Sequence, residues 1–166
     1  WSFFCDDYGK DKYKVIPNGV DLEQFSPLKS EQDNFKIDDN LDLKIFSSGN
    51  FRIHKRLQDS IILMAMITKY IPNTKLYILG NMDLQTSRLV KIIFSKYKDL
   101  EDKIIFLDKI PFDNLPSFYS KMDIMLHPSW LDPCPNVVVE SLASGTPVIC
   151  PSTGGTPELV GDGGII

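Results

Sequence analysis

Residues 124–150 have the sequence IMLHPSWLDPCPNVVVESLASGTPVIC, and this stretch decides the fold. Its apolar ends predict strands over Ile124–His127 and Pro147–Cys150. The residues between them predict a helix over Asn136–Ser144, closed by Gly145. A strand, a helix and a second strand at this spacing favour two parallel strands joined by a crossover helix.

The same alternation runs through the residues before this stretch. Three further strands are predicted, over Leu43–Ser48, Lys75–Leu79 and Ile104–Leu107. Three further helices are predicted, over Arg56–Ile71, Leu84–Lys98 and Asn114–Lys121. A last strand begins at Ile165. The sequence therefore predicts an α/β fold in which a doubly wound parallel sheet carries helices on both faces.

Residues 1–40 differ from this pattern, since they are polar and irregular apart from Tyr13–Pro17. They predict a linker that packs a few aromatic side chains (Phe3, Phe4 and Phe25) ahead of a domain over residues 41–166. The chain opens with Trp1 and stops at Ile166, two residues into a strand. We therefore expect a piece of a longer protein, with its domain truncated at the C-terminal end.

Composition narrows the function. Of 166 residues, 43% are hydrophobic, and 18 basic against 22 acidic residues give a charge of −4, which argues against nucleic-acid binding. The longest apolar run, Ile61–Ile67, is shorter than the about 20 residues that span a bilayer. Cys5, Cys134 and Cys150 have neither metal nor redox spacing. We expect a reduced, cytoplasmic protein without a bound metal.

Ligands of an open α/β sheet bind beyond the carboxyl ends of its strands, so the loops there are the candidate sites. The loop after the first strand contains Gly49 and then three cations, Arg52, Lys55 and Arg56, near a helix start. Cations oppose the helix dipole there unless an anion bridges them to the backbone amides. The alternative is a solvated basic loop.

No Walker A motif and no G-x-G-x-x-G occurs, which argues against an ATPase or a dehydrogenase.

The loop before Asn136 is the second candidate site. The free N–H groups at the start of a helix form an anion site. Glu140 lies one turn into this helix, where its carboxylate could bind a vicinal diol such as a ribose. The alternative is that Glu140 only complements the helix dipole. Asp132 has an equally plain alternative as a turn aspartate before a proline.

Three other features carry weaker signals. Residues 152–158 follow the fifth strand, and the alternative of an ordinary turn is stronger for them than for the other two loops. His54 and His127 are lone histidines, which are more often structural than catalytic, and nothing in the sequence pairs either with a nucleophile.

The motifs together resemble a family. Residues 132–140, DPCPNVVVE, resemble the E-P-F-G-x-x-x-x-E segment of retaining GT-B glycosyltransferases of family 4. Residues 141–149 and 154–158 are similar to the E-A-x-A-x-G-x-P-V-I and G-G-x-P-E segments of that family. Residues 15–27 resemble its linker, I-P-N-G-V-D-x-x-x-F-x-P, and Lys55 falls on the lysine of its G-R-x-x-x-x-K-G loop. The resemblance covers nearly the whole chain, in order and with matching spacing.

The resemblance implies the linker and most of the C-terminal, donor-binding half of a GT-B enzyme, with strand order 3-2-1-4-5-6 and an active site between two Rossmann-like domains. It implies that Lys55 holds the donor diphosphate, Glu140 the ribose hydroxyls and Asp132 the transferred sugar. The implied donor site also includes Gly49, Asn50 and Arg52, and the amides near Asn136 and Val137.

Three positions depart from the family pattern. Asp132 is one methylene shorter than the family's glutamate, and Pro135 replaces a glycine and has no N–H. Asn50 stands where the family has its phosphate-binding arginine. Arg56 or Arg52 could substitute for it, because either could supply a guanidinium fork for phosphate oxygens.

The function predicted in this way is transfer of a hexosyl group from a nucleotide-diphosphate sugar to a hydroxyl of a glycan, lipid or other acceptor, with retention at the anomeric carbon. No resident cofactor is expected, and any membrane contact would be peripheral, through the missing N-terminal acceptor domain. We expect this chain alone to bind donor without transferring it. The alternatives are a nucleotide-sugar epimerase and a non-catalytic nucleotide-sugar-binding module.

Overall fold

The computed structural model describes residues 16–27, 37–107 and 109–166. Six strands occur in these ranges: β1 (Leu43–Ser48), β2 (Thr74–Leu79), β3 (Ile104–Leu107), β4 (Ile124–Leu126), β5 (Val148–Ile149) and β6 (Gly164–Ile165). The α-helices are α1 (Leu57–Tyr70), α2 (Leu84–Lys96), α3 (Leu115–Ser120), α4 (Asn136–Ala143) and α5 (Thr156–Val160). Short 3-10 helices cover Ile53–Lys55, Lys98–Lys103, Phe112–Asn114 and Gly161–Gly163.

The six strands form one sheet in the order β3-β2-β1-β4-β5-β6, and every neighbouring pair is parallel. Both the predicted doubly wound fold and the strand order implied by the family resemblance are confirmed. The order reverses between β1 and β4, where Ile45 pairs with Ile124 and Phe46 with Met125. The carboxyl ends of β1 and β4 therefore lie side by side at the switch point of the sheet.

The boundaries of the elements follow from local chemistry. Asp83 caps α2 by accepting a hydrogen bond from the Thr86 N–H at 2.8 Å. The helix predicted over Leu84–Lys98 ends at Lys96, and a separate 3-10 helix begins at Lys98. The strand predicted over Pro147–Cys150 is only Val148–Ile149. Both differences lie at element ends, where backbone groups lose their regular partners first.

Alternating side chains of the strands build a core on each face of the sheet. On one face, Ile45 and Leu126 pack with Leu57 and Ile61 of α1. On the other, Phe46 and Met125 pack with side chains of the helices that follow β3, β4 and β5; these include Phe118, Tyr119, Val138 and Val160. Both faces are thus covered near the switch point, as expected for a parallel sheet.

Residues 16–27, which we call the N-terminal segment, pack on this domain through Phe25. Asp21 folds the segment into a turn, because its Oδ1 accepts from the Glu23 and Gln24 N–H groups at 2.8 and 3.2 Å. The Phe25 side chain is buried, and its ring lies 6.2 Å from that of Tyr119. The predicted packing of Phe25 is confirmed, whereas Phe3, Phe4 and most of Tyr13–Pro17 lie outside the described residues.

No helix within the described ranges is both long enough and apolar enough to cross a membrane.

Gly80 brings the loops after β1 and β2 together, and this contact leads to a prediction about stability. Its φ is +127°, and a Cβ added there would lie 2.0 Å from the Gly49 carbonyl oxygen. We expect Gly80→Ala to lower the free energy of unfolding by about 1–3 kcal/mol, because the variant must strain its backbone and displace the neighbouring loop.

Chemical denaturation measures this change. Gly19→Ala is the matched control, since a Cβ at Gly19 meets nothing within 4 Å. Equal stability of the two variants would contradict the steric argument.

Candidate donor site at the switch point

The loops after β1 and β4 meet at the carboxyl end of the sheet. The backbone N–H of Trp130 donates to the carbonyl of His54 at 3.0 Å, which ties the two loops together. Ser48 ends β1 and His127 follows β4, so the side chains beyond them converge on one crevice. This is where the parallel sheet of a doubly wound fold binds its ligands.

Lys55 and Asp132 join the two loops by an ion pair between the Lys55 Nζ and the Asp132 Oδ2. Asp132 is only 7% exposed, so its carboxylate needs a charged partner. The Nε2 of His127 lies 3.3 Å from the same oxygen without the alignment of a hydrogen bond, and His127 is also buried. Asp132 is therefore a buried anion held between two basic side chains.

These neighbours decide the ionisation of Asp132. Burial alone would raise its pKa, but the His127 ring and the Lys55 ammonium outweigh burial and lower the pKa from 3.8 to about 2. Asp132 is consequently ionised throughout the neutral range, as a partner for a lysine must be.

The other predicted residues of the loop after β1 are more exposed. Gly49 has a φ of +149° and donates its N–H to the Leu79 carbonyl at 3.0 Å, while Asn50 is exposed to solvent. Arg52 is exposed and near the Asp83 carboxylate, whose pKa is lowered chiefly by its cap bonds to Thr86 and in small part by Arg52.

Arg56 occupies a special backbone position. Its φ is +52°, which makes it the non-glycine residue with a left-handed conformation in the described part of the chain. Its Nη2 pairs with the Asp59 Oδ2 at 2.5 Å, and 47% of its side chain is exposed. Of the three cations predicted in this loop, the structure brings only Lys55 into contact with a predicted residue of the second loop.

Helix α4 begins at Asn136, as predicted, after Pro135. Pro135 contributes no side-chain cap, so no oxygen of the capping side chain bonds to the amides that open the helix. The side chain of Val137 packs against the core. Asn136 is exposed, as a residue at the mouth of a site must be.

Glu140 lies one turn into α4 and is half-buried. Its Oε2 accepts a hydrogen bond from the Tyr119 Oη at 3.1 Å. Burial raises the pKa of Glu140, and the Tyr119 hydroxyl opposes this by stabilising the ionised form. The carboxylate is thus bound on one oxygen and turned away from full solvent.

Asn18 of the N-terminal segment holds the loop in front of α4, a contact that sequence reasoning did not predict. Its Nδ2 donates to the Asn136 Oδ1 at 2.7 Å and to the Cys134 carbonyl at 3.1 Å. Its backbone N–H also lies 3.2 Å from the Cys134 sulfur. The P-N-G-V-D motif at residues 17–21 placed this asparagine at a turn, and that was the feature of the sequence that could have indicated its role.

The loop after β5 contacts the loop that contains Asp132, which an ordinary turn would not require. Gly155 donates its N–H to the Asp132 carbonyl at 2.9 Å. A Cβ added at Gly155 would lie 1.9 Å from the Pro133 carbonyl oxygen, and one at Gly154 would lie 2.8 Å from the Asp132 oxygen. Because the two glycines have no side chain, this loop can pack closely against the backbone of Asp132 and Pro133.

Two further residues of the site were missed or undervalued. Tyr119 lies in a predicted helix, and nothing in the sequence indicated its partner. Its contact with Glu140 results from the packing of α3 on α4. His127 was predicted to be structural, and the structure places it beside Asp132 rather than beside a nucleophile. Its position at the carboxyl end of β4 was the available signal.

The strand order, with converging polar residues at its switch point, defines a Rossmann-like domain of the doubly wound class. Comparison with known proteins gives the family. The family model described as glycosyl transferases group 1 matches residues 29–165, and the chain belongs to this family.

Two curated relatives illustrate the range of the family. The chain is 30% identical over 157 residues to an uncharacterised glycosyltransferase of Methanocaldococcus jannaschii, covering 91% of this chain and 39% of the relative. It is 27% identical over 158 residues to the D-inositol 3-phosphate glycosyltransferase of Mycolicibacterium smegmatis, covering 93% of this chain and 35% of the relative. The chain thus spans less than half the length of these relatives.

Solved structures share the fold. The C-terminal domain of a group 1 glycosyl transferase from Francisella tularensis is 26% identical with a TM-score of 0.69, over 84% of this chain and 74% of that one. The Anabaena protein HepE, solved in complex with UDP and glucose, is 22% identical with a TM-score of 0.74, over 99% of this chain and 45% of that one. The fold is that of the C-terminal domain of GT-B glycosyltransferases.

The ion pair of Asp132 leads to a prediction about pH. Because the pKa of Asp132 is lowered on folding, its stabilising contribution is present above the unfolded value of 3.8 and is lost as the pH falls through about 2. We expect Asp132→Asn to cost about 2 kcal/mol of unfolding free energy near pH 7, and this difference from the wild type to shrink between about pH 5 and pH 2.

Denaturation of both proteins across this pH range measures the difference. Asp102→Asn, which changes an exposed carboxylate, is the control and should show no such trend. A loss for Asp132→Asn that does not vary with pH would mean that the ionised form is not the stabilising one.

Proposed function

We propose that this chain is the donor-binding domain of a retaining glycosyltransferase, which transfers a sugar from a nucleotide diphosphate to an acceptor hydroxyl. The observation that carries the proposal is the convergence of the Lys55 ammonium, the start of α4 and the Glu140 carboxylate at one switch point. Membership of the group 1 glycosyltransferases favours transfer over epimerisation or binding alone.

The diphosphate would lie between Lys55 and the start of α4. The helix start offers backbone N–H groups of Asn136 and Val137, and the helix dipole favours an anion there. Lys55 and an arginine, Arg52 or Arg56, would supply positive charge. In the transfer, the bond between the anomeric carbon and the diphosphate oxygen breaks, the acceptor oxygen bonds to that carbon, and the acceptor proton passes to the departing diphosphate. These groups stabilise the negative charge that develops on the leaving oxygen.

The ribose would lie against Glu140. Its Oε2 is engaged by Tyr119, and a carboxylate has about four acceptor positions, so hydroxyl groups of a vicinal diol can still bind. A helix-dipole role alone would not require a partner that fixes the carboxylate. The Tyr119 contact therefore favours the diol-binding role over the alternative that the sequence left open.

The transferred sugar would contact the loop that contains Asp132. This carboxylate pairs with Lys55, so a bound diphosphate would share Lys55 with Asp132. Through this ion pair, the residue that contacts the sugar, Asp132, would also contact the residue that holds the diphosphate, Lys55. We propose that Asp132 positions Lys55 as well as the sugar.

Transfer itself would need an acceptor site from a second domain. The chain spans 39% of the length of its Methanocaldococcus jannaschii relative, which leaves room in such proteins for another domain of similar size.

We propose a nucleotide sugar and a hydroxyl acceptor as substrates, no resident cofactor, and a cytoplasmic location, which suits the free thiols of Cys134 and Cys150. By itself this chain would bind donor without transferring the sugar.

Lys55 gives the direct test of the proposal. With UDP, GDP and ADP as probes, we expect the wild type to bind at least one of them. Lys55→Ala should weaken that binding by about 1.5–3 kcal/mol, the range for a hydrogen bond to a charged group. Isothermal titration calorimetry measures the affinity, and the corresponding nucleoside without phosphates should bind both proteins equally.

Two controls separate binding from folding. Lys91→Ala removes an exposed lysine of α2 and should leave the affinity unchanged. A double variant, Lys55→Ala with Asp132→Asn, avoids leaving the buried carboxylate unpaired, and it should bind the diphosphate as weakly as Lys55→Ala. Wild-type affinity in the double variant would remove Lys55 from the site.

Glu140 gives a second test. Glu140→Gln keeps an oxygen for Tyr119 to donate to but loses the charge, so we expect ribonucleotide diphosphates to bind roughly tenfold more weakly, about 1.4 kcal/mol. Their 2′-deoxy counterparts should lose less, because the contact with the diol is the part removed. Glu158→Gln, an exposed position on α5, is the control. Equal losses for both sugars would leave Glu140 with the helix-dipole role only.

A further inference from the structure

Tyr119 connects the core of the domain to Glu140. Its side chain is fully buried, and its ring stacks on Phe46 of β1 at 5.1 Å, with 25° between the ring planes. Phe25 of the N-terminal segment also stacks on this ring, at 6.2 Å and 28°. Two aromatic side chains therefore hold the ring, which gives its hydroxyl a fixed position.

That hydroxyl is directed at the candidate donor site. It donates to the Glu140 Oε2 at 3.1 Å. The Ser48 hydroxyl at the carboxyl end of β1 also forms a hydrogen bond with it. Glu140 in turn lies on α4 between the helix start and the core. The residue that orients the carboxylate is thus itself positioned by a strand and by the N-terminal segment.

We propose that Tyr119 is a positioning residue for nucleotide binding, which orients the Glu140 carboxylate toward the ribose, and that Phe25 acts through Tyr119 as its support. The inference rests on the proposed function, because it assigns Glu140 to the ribose. Tyr119 does not touch the nucleotide. Its hydroxyl fixes one carboxylate oxygen, so that the other oxygen meets the ribose hydroxyls without first losing rotational freedom.

The hydrogen bond has a second consequence, for the ionisation of Glu140. The pKa of Glu140 is raised by burial, and the bond from Tyr119 opposes that rise. Other titratable groups on elements packed against α4 include the exposed Glu158 of α5, the buried thiol of Cys150 after β5, Lys121 at the end of α3, and Asp21 and Glu23 of the N-terminal segment. Loss of the Tyr119 hydroxyl removes a donor to the ionised form, so the pKa of Glu140 rises further.

Tyr119→Phe isolates this hydroxyl, because the ring and its stacking remain. We expect the variant to bind ribonucleotide diphosphates about three- to tenfold more weakly than the wild type, and 2′-deoxynucleotides with little change. Tyr77→Phe is the matched control: Tyr77 is a buried tyrosine of β2 whose hydroxyl interacts with Asp38 rather than with Glu140. If Tyr119→Phe only disturbed the structure of the site, it would weaken the binding of ribonucleotides and 2′-deoxynucleotides equally.

Two measurements on the 166-residue chain test the proposal. Calorimetry with UDP, GDP and ADP and their 2′-deoxy forms gives the affinities. Carboxyl NMR, with the Glu140 resonance assigned by Glu140→Gln, gives the pKa of Glu140 without any nucleotide. Selective loss of ribonucleotide binding together with a raised pKa supports the positioning role. An unchanged pKa in Tyr119→Phe overturns it, whatever the nucleotide results.

The outcomes distinguish this inference from the proposed function. A wild type that binds none of the nucleotides overturns the proposed function and the role of Tyr119 with it. A wild type that binds, with a Tyr119→Phe variant equal to it for both ribo- and deoxynucleotides, overturns the inference about Tyr119 alone.

Discussion

Pairing of β1 with β4 is the constraint on which the candidate site depends. Because the sheet reverses its order at this pair, α1 leaves β1 toward one face and α4 leaves β4 toward the other. The two helices diverge, and the loops before them are left facing each other over the edge of the sheet. Without the register that places Phe46 beside Met125, Lys55 and Asp132 would not meet.

The ion pair across this crevice has opposing effects on the proposed chemistry. A buried carboxylate needs a charged partner, and Lys55 is the one that reaches Asp132 across the two loops. A donor diphosphate would compete for the same ammonium, so the pair lowers the gain from binding. It also fixes the position of the Lys55 ammonium, which reduces the ordering cost of binding. The backbone of Asp132 is meanwhile held by Gly155.

The sequence predicted the elements well and the contacts between them poorly. The bounds of β1 and β3 agree with the predicted ones, because a short segment with apolar side chains between turn signals is a local feature. The two site loops were also found, because each follows the carboxyl end of a predicted strand. The strand order that makes them neighbours came from the family resemblance. The bond of Tyr119 to Glu140 spans 21 residues and that of Asn18 to Cys134 spans 116, and neither has a local pattern. Such contacts depend on how helices and the N-terminal segment pack, which periodicity does not encode.

Helix α4 shows why those distant contacts matter. It has eight residues, too few to be stable by propensity alone, and three of its first four are β-branched valines. Its position is therefore set by its neighbours. Val138 is buried in the core, Asn18 holds the residues at its start, and Tyr119 holds Glu140 on its side. At its far end Gly145 lies against Pro27, where an added Cβ would come within 3.0 Å of the proline ring. The N-terminal segment thus contacts both ends of the one helix that carries the proposed diphosphate-binding amides and the proposed ribose-binding carboxylate, so the geometry of the site depends on residues that no nucleotide would touch.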